Sequence, residues 1–198
     1  MFASAGSRDL PIISKMLDFT PTLIRWSQLS PSERGYSWLE ENYGSVPQTH
    51  LESIARVDVA DRPRLNSWLD RVLPQKSADR LCFPNSELLH LTDESWNTDA
   101  GVQTVRQWLY NRSVPYRTTI YCFYDRDQVL CLAWRLLVKY WDAFAWSVGY
   151  AMIATDSTCQ WACMFHHENV IEFGCYDLKV VELSTAPDDG LRRFANGK

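Results

Sequence analysis

The fold is decided by one stretch of the chain, residues 117–174, which read RTTIYCFYDRDQVLCLAWRLLVKYWDAFAWSVGYAMIATDSTCQWACMFHHENVIEFG. It opens with a period of two, so Thr119, Tyr121 and Phe123 share one face of an extended chain and the residues between them share the other. Both faces carry residue types that favour strands. We therefore predict a strand in the interior of a sheet.

Residues 128–144 follow a different pattern, in which polar side chains are few and widely spaced. Gln128, Arg135, Lys139 and Asp142 would fall in a stripe of about 60° on a helix, and every other position from Val129 onward is apolar or aromatic. A helix of this kind is covered by protein around most of its circumference. We predict that residues 128–144 form the central, buried helix of the core.

Three short β-like runs follow, at residues 150–154, 160–166 and 169–173, joined by turn-rich or very short connections. They predict an antiparallel meander with one strongly apolar face. Residues 179–183 are a candidate for a further strand.

The N-terminal part predicts short helices separated by prolines. Residues 30–44 begin with a capping sequence, residues 62–73 place Leu65, Trp68, Leu69 and Val72 on one helical face, and residues 101–110 repeat that spacing. Between the last two, residues 81–83 are a candidate short strand, residues 85–91 fit either a helix or a strand, and residues 92–99 are polar enough for a surface loop.

These elements predict an α+β fold in which an antiparallel sheet packs on a central buried helix and carries an N-terminal group of short helices. We expect a single domain over residues 1–198. Its parts are a mainly helical region (1–115), a strand, helix and meander core (116–183) and a polar tail (184–198).

Charge and hydropathy exclude several classes of function. The net charge is −4 and the 20 Lys and Arg are dispersed, so the basic patch of a nucleic-acid binder is missing and a basic partner is favoured. No run approaches the ~20 apolar residues of a membrane span, and MFASAGSRDL lacks the apolar core of a secretory signal. We expect a cytoplasmic protein that binds neither nucleic acid nor membrane.

The six cysteines are expected to be reduced and mostly buried, since a chain of this length without an export signal rarely needs disulfides. A metal site is disfavoured because Cys159 and Cys163 would lie about 13 Å apart on a strand, whereas Zn–S bonds are ~2.3 Å long. No Gly-rich phosphate-binding motif and no G-x-S-x-G elbow occurs. We predict neither a metal nor a cofactor.

Two places carry candidate functional residues. Trp96 lies among Asp93, Glu94 and Asp99, an aromatic ringed by carboxylates that would suit a cationic protein partner, although such a loop also commonly tucks its Trp beneath itself.

The second place is the connection His166-His167-Glu168, where His167 and Glu168 are candidates for partner binding or for acid–base chemistry. Neighbouring residues on a strand point to opposite faces, so one packed and one solvated histidine is the competing interpretation.

From Tyr121 onward the order of features resembles small bacterial domains associated with the immunity proteins of polymorphic toxin systems. The likeness covers about 60 residues and rests on a set of segments. These are YCFYDRDQV (121–129), Trp134, KYWDAF (139–144), FHHE (165–168) and IEFG (171–174).

The resemblance implies a cytoplasmic binder without catalysis that neutralises a cognate toxin of a type VI or contact-dependent system by occluding its active site. Asp93, Glu94, Trp96, Asp99, His167 and Glu168 are then the candidate partner-binding residues. The alternatives are a small hydrolase or transferase using His167, Glu168 and a thiol such as Cys163 in the hairpin at 163–168, and a regulatory or scaffold subunit.

Overall fold

An eight-stranded antiparallel sheet forms the centre of the molecule, which confirms the α+β class. The strand order is β1-β2-β7-β6-β8-β9-β10-β5, and β3 and β4 form a separate hairpin. The computed structural model describes residues 16–30, 46–77, 80–124, 127–146, 151–166 and 168–177. Within them the strands are β1 (Leu23–Arg25), β2 (Ala55–Val57), β3 (Gln75–Ser77), β4 (Arg80–Leu81), β5 (Asn85–His90), β6 (Thr119–Phe123), β7 (Val129–Ala133), β8 (Met152–Asp156), β9 (Trp161–His166) and β10 (Val170–Cys175).

Six α-helices are present in the same described residues, most of them short. The longest two, α2 and α4, follow the amphipathic patterns predicted for residues 62–73 and 101–110. The helices are α1 (Gln48–Leu51), α2 (Arg62–Val72), α3 (Asp93–Asn97), α4 (Asp99–Tyr110), α5 (Trp134–Lys139) and α6 (Trp141–Trp146).

Both faces of the sheet are covered by protein. On the first face, which carries Ile120 and Cys122, the helices α4, α5 and α6 pack. On the second face, which carries Tyr121 and Phe123, α2 and the β3–β4 hairpin pack. The middle strands are therefore apolar at nearly every position, as expected for strands that bury both faces.

The predicted central helix over residues 128–144 is wrong in its first third. Val129–Ala133 is strand β7, which pairs along its length with β6, and the helix begins only at Trp134. The remainder is split into α5 and α6 at Tyr140, whose backbone leaves the helical region (φ −119°, ψ 31°). A strand buried on both faces has no polar alternation, so VLCLA and the helix after it form one continuous apolar run.

The strand and the meander predicted from residue 117 onward are confirmed. β6 lies between β7 and β8, inside the sheet, and β8, β9 and β10 follow as antiparallel neighbours. The predicted helix at 30–44 apart from Ser30, the possible strand at 179–183 and the tail at 184–198 lie outside the described residues.

The region before residue 115 contains more sheet than its proline-separated pattern indicates. β1 and β2 extend the sheet at one side through the pairing of β2 with β7, and β5 extends it at the other by pairing with β10. Residues 85–91, which fitted either state, are thus a strand at the sheet edge. The β3–β4 hairpin ends at Leu81, close to the short strand predicted at 81–83.

Candidate functional site

The segment expected as a polar surface loop, residues 92–99, is helical instead. Thr92 caps α3, with its own N–H donating to the Ser95 hydroxyl oxygen (3.0 Å), and Thr98 caps α4 by accepting from the Gly101 N–H (3.0 Å). The first start is a capping box, and the second is an ordinary side-chain cap. The polarity of this stretch therefore reflects two adjoining helix starts, which a count of polar residues does not distinguish from a loop.

Trp96 is not presented on a loop. Its ring lies 4.8 Å from the ring of Trp141, centroid to centroid, and it packs half-buried against the first-face core. The tucked alternative is therefore the one found for this side chain. Asp93, Glu94 and Asp99, in contrast, are exposed.

The pairing of β5 with β10 brings the two candidate regions of the sequence together. The Leu91 N–H donates to the Asn169 carbonyl (2.7 Å), so the end of β5 lies beside the turn that contains Glu168. Asn169 takes the left-handed conformation (φ 59°) that closes this tight connection, which Asn tolerates better than most residues. Asp93, Glu94 and Glu168, all exposed, form what we call the acidic end. His167 lies outside the described residues.

Strand β5 is an edge of the sheet. It pairs with β10 on one side, and no strand of the described residues pairs with its other side. Ser86, Glu87, Leu88 and His90 are exposed, and Leu88 keeps 39% of its surface accessible, which is high for a leucine. An edge with this exposure is a surface to which another chain can be added.

The contact at Leu91 shows which residues of β5 direct their backbone hydrogen-bonding groups towards β10. Because directly opposed Leu91 and Asn169 are joined by a hydrogen bond, the odd-numbered residues of β5 bond to β10. Ser86, Leu88 and His90 therefore direct their backbone N–H and C=O groups away from the sheet.

Arg112 lies under the first half of β5, and the sequence did not single it out. Its side chain is only 10% exposed, its Nη1 is bonded to the Glu87 carboxylate and its Nε donates to the Trp108 carbonyl (2.9 Å). The guanidinium stacks 4.2 Å from the Trp108 ring. A cavity of about 290 Å³ opens beside it, with Asn85 and Cys175 in its wall. Arg112 thus neutralises Glu87 and holds this side chain against the molecule.

Glu172 is a second residue that the sequence pattern did not single out. It is fully buried on the second face, where it accepts from the Leu81 N–H (3.1 Å) and the Ser86 hydroxyl (2.8 Å). Arg80 Nε lies 3.4 Å and His166 Nε2 lies 3.6 Å from its carboxylate. A glutamate within the apolar run NVIEF was the available sign. This carboxylate fastens the β3–β4 hairpin and β5 to the sheet.

The thiol of the hydrolase or transferase alternative is not placed for chemistry. Cys163 is fully buried in the first-face core, and that burial raises its pKa well above the ordinary value. His166 is on the opposite face of β9, against Glu172, and Glu168 is in the exposed turn. Cys163 and Glu168 therefore do not converge, His167 lies outside the described residues, and a thiol with a raised pKa is a poor nucleophile at neutral pH.

All six cysteines are free, and five are buried. Cys159 and Cys163 belong to cores on opposite faces of the sheet, so they share no site. Over the described parts of the chain, no three His, Cys, Asp or Glu side chains are grouped so that they could hold a metal ion.

No helix among the described residues has the length and apolarity to cross a bilayer. Comparison of the chain with protein-family models, with curated proteins and with solved structures gave no match.

Proposed function

We propose that the protein is an immunity-type binder that neutralises a cognate bacterial toxin in the cytoplasm by covering its active site, without a catalytic step of its own. The observation that supports this most is the acidic end beside the exposed edge strand β5. The partner is expected to present a basic surface there.

Charge favours a partner of this kind. Residues 85–99 contain four carboxylates and no Lys or Arg. Arg112 neutralises Glu87, which leaves Asp93, Glu94 and Asp99, and the β9–β10 turn adds Glu168. A group of exposed carboxylates steers a basic protein into its encounter complex and disfavours acidic competitors. The residues of this surface belong to helices, strands and a tight turn, so binding costs little conformational entropy.

The test is co-expression with the protein encoded by the neighbouring gene, followed by co-purification and a growth assay for protection. The site variant carries Asp93→Asn, Glu94→Gln and Glu168→Gln. We expect roughly tenfold or more weaker binding, because three exposed charge contacts together contribute about 1.4 kcal/mol or more. The loss should shrink at high salt, where screening already weakens the wild-type contacts.

The matched control carries Asp18→Asn, Glu52→Gln and Asp70→Asn, three exposed carboxylates away from β5 that change the net charge equally. It should bind and protect like the wild type. The proposal fails if the wild type neither binds nor protects, and the assignment of the surface fails if both triple variants are impaired alike.

A further inference from the structure

We propose that β5 is a strand-addition site, and that its occupant is an extended, basic segment of a protein partner that pairs with Ser86, Leu88 and His90. This inference rests on the proposed function for the identity of the partner, and it adds the mode of binding. The backbone, the side chains and the charge of β5 each support it.

The backbone of β5 offers a row of outward N–H and C=O groups at Ser86, Leu88 and His90. Alternate residues of a strand repeat about every 6.8 Å, so an added strand would meet these groups in register. The other edge, β1, has only three residues, against six in β5. A short edge strand is a common protection against the addition of another strand, and β5 is not short.

Charged side chains on an edge also deter strand addition, but the one charge within β5 is tied down. Glu87 points to the first face, where its carboxylate is bonded to the nearly buried Arg112. No Lys or Pro lies between Asn85 and His90. Among the described residues, nothing therefore closes this edge to another strand.

On the second face, the side chains of β5 suit a neighbouring strand. The Ser86 hydroxyl is held by the buried Glu172, which fixes the start of the strand, and Leu88 stands exposed two residues further on. Side chains directly opposite each other on paired strands lie ~5 Å apart, so an apolar residue of the incoming segment would cover Leu88. This contact would bury the exposed apolar surface.

Charge decides which occupant fits. The C-terminal end of β5 meets the acidic end, Asp93, Glu94 and Glu168, so an incoming strand gains from Lys or Arg at that point. A second copy paired through β5 would bring the same carboxylates, because residues 85–99 contain no Lys or Arg, and its Arg80 already lies 3.4 Å from its own Glu172 carboxylate. The fitting occupant is therefore a foreign, basic segment.

The test uses a fluorescent, capped decapeptide of alternating Lys and Val, with a Glu and Val decapeptide as the charge control. Leu88→Pro removes an outward N–H without removing a bond to β10, and Leu88→Ile keeps the N–H and an apolar side chain. We expect the Lys peptide to bind the wild type and Leu88→Ile within about twofold, and Leu88→Pro at least about tenfold more weakly, since an amide acceptor of the peptide loses its donor.

Hydrogen exchange of the wild-type amides, measured with and without the Lys peptide, tests the binding site without using a variant. Binding of the Lys peptide should slow exchange at Ser86, Leu88 and His90. The inference is overturned if the peptide does not bind, if it binds without protecting these amides, or if the Glu peptide binds equally well. Self-association of the wild type that Leu88→Pro abolishes would identify a second copy as the occupant and would also overturn it.

The two proposals can fail separately. If the partner protein binds wild type and Leu88→Pro equally but loses affinity for the triple acidic variant, strand addition is wrong and the proposed function stands. If no partner is found while the Lys peptide adds to β5, the strand site stands and the immunity-type function does not.

Discussion

At the scale of single residues, His50 shows how burial and neighbouring charge act together. Its Nδ1 lies 2.7 Å from the Tyr140 hydroxyl, and its ring meets the tyrosine ring edge-on. Burial lowers its pKa below the ordinary 6.5, and the positive charges of Lys139 and Arg135 lower it further. The folded protein therefore favours the neutral imidazole.

This predicts a pH dependence that His50→Gln should remove. Between the lowered pKa and 6.5 the unfolded chain binds the proton more readily than the folded chain, so the stabilising contribution is complete above 6.5 and is lost as the pH falls below it. In urea unfolding, the free energy of unfolding of the wild type relative to His50→Gln should decrease on acidification from that point. A difference that stays constant, or that grows at low pH, would contradict the assignment.

Trp96 shows what a residue pattern alone does not resolve. Its neighbours in the sequence are carboxylates, which predicts exposure, but its ring packs on Trp141, 45 positions further along the chain. Glu172 is the converse case, since an apolar run surrounds it and its partners, Leu81 and Ser86, belong to other elements. Local polarity predicts exposure only where no distant element covers the residue.

At the scale of elements, the junction of α3 and α4 depends on a glycine. A Cβ atom at Gly101 would lie 1.9 Å from the Glu94 carbonyl oxygen, so α4 passes the backbone of α3 at a distance only glycine allows. The position of Asp93 and Glu94 in the acidic end therefore depends on a residue that carries no side chain.

Two opposing effects act on the free energy of unfolding when Gly101 is replaced by Ala. Helix propensity alone would stabilise the protein by about 1 kcal/mol, whereas the clash with backbone atoms should destabilise it by about 1–3 kcal/mol. We expect net destabilisation in urea unfolding, with Gln103→Ala, an exposed site on the same helix, within about 0.5 kcal/mol of the wild type. An alanine variant as stable as the wild type would show that α3 moves aside at little cost.

The predicted central helix was wrong at the boundary between two elements. The run VLCLAWRLL contains a strand and then a helix, and both are covered by protein on most sides. Periodicity identifies an element by the contrast between its buried and exposed faces, and β7 has no exposed face. The boundary at Trp134 is set by the pairing of β7 with β6, which ends at Ala133 opposite Thr119.

At the scale of the whole molecule, the sheet should be most stable at its centre. β6, β7 and β9 are buried on both faces and paired on both sides, while β1 and β5 are edges. Hydrogen exchange of the isolated chain should therefore be slowest in the three central strands and fastest, within the sheet, at the outward amides of β5 and in β1. Outward amides at Ser86, Leu88 and His90 that exchange as slowly as those of β6 would mean that the edge is covered.

The α+β class, strand β6, the β8–β9–β10 meander and helices α2 and α4 could be predicted from the sequence, because each follows from spacing within a few neighbouring residues. The pairing of β5 with β10, the place of the Glu168 turn beside the end of β5, and the contact of Glu87 with Arg112 follow only from the tertiary structure. These contacts join residues 25 to 90 positions apart, and such pairings depend on how the two faces of the sheet are covered, which no local pattern encodes.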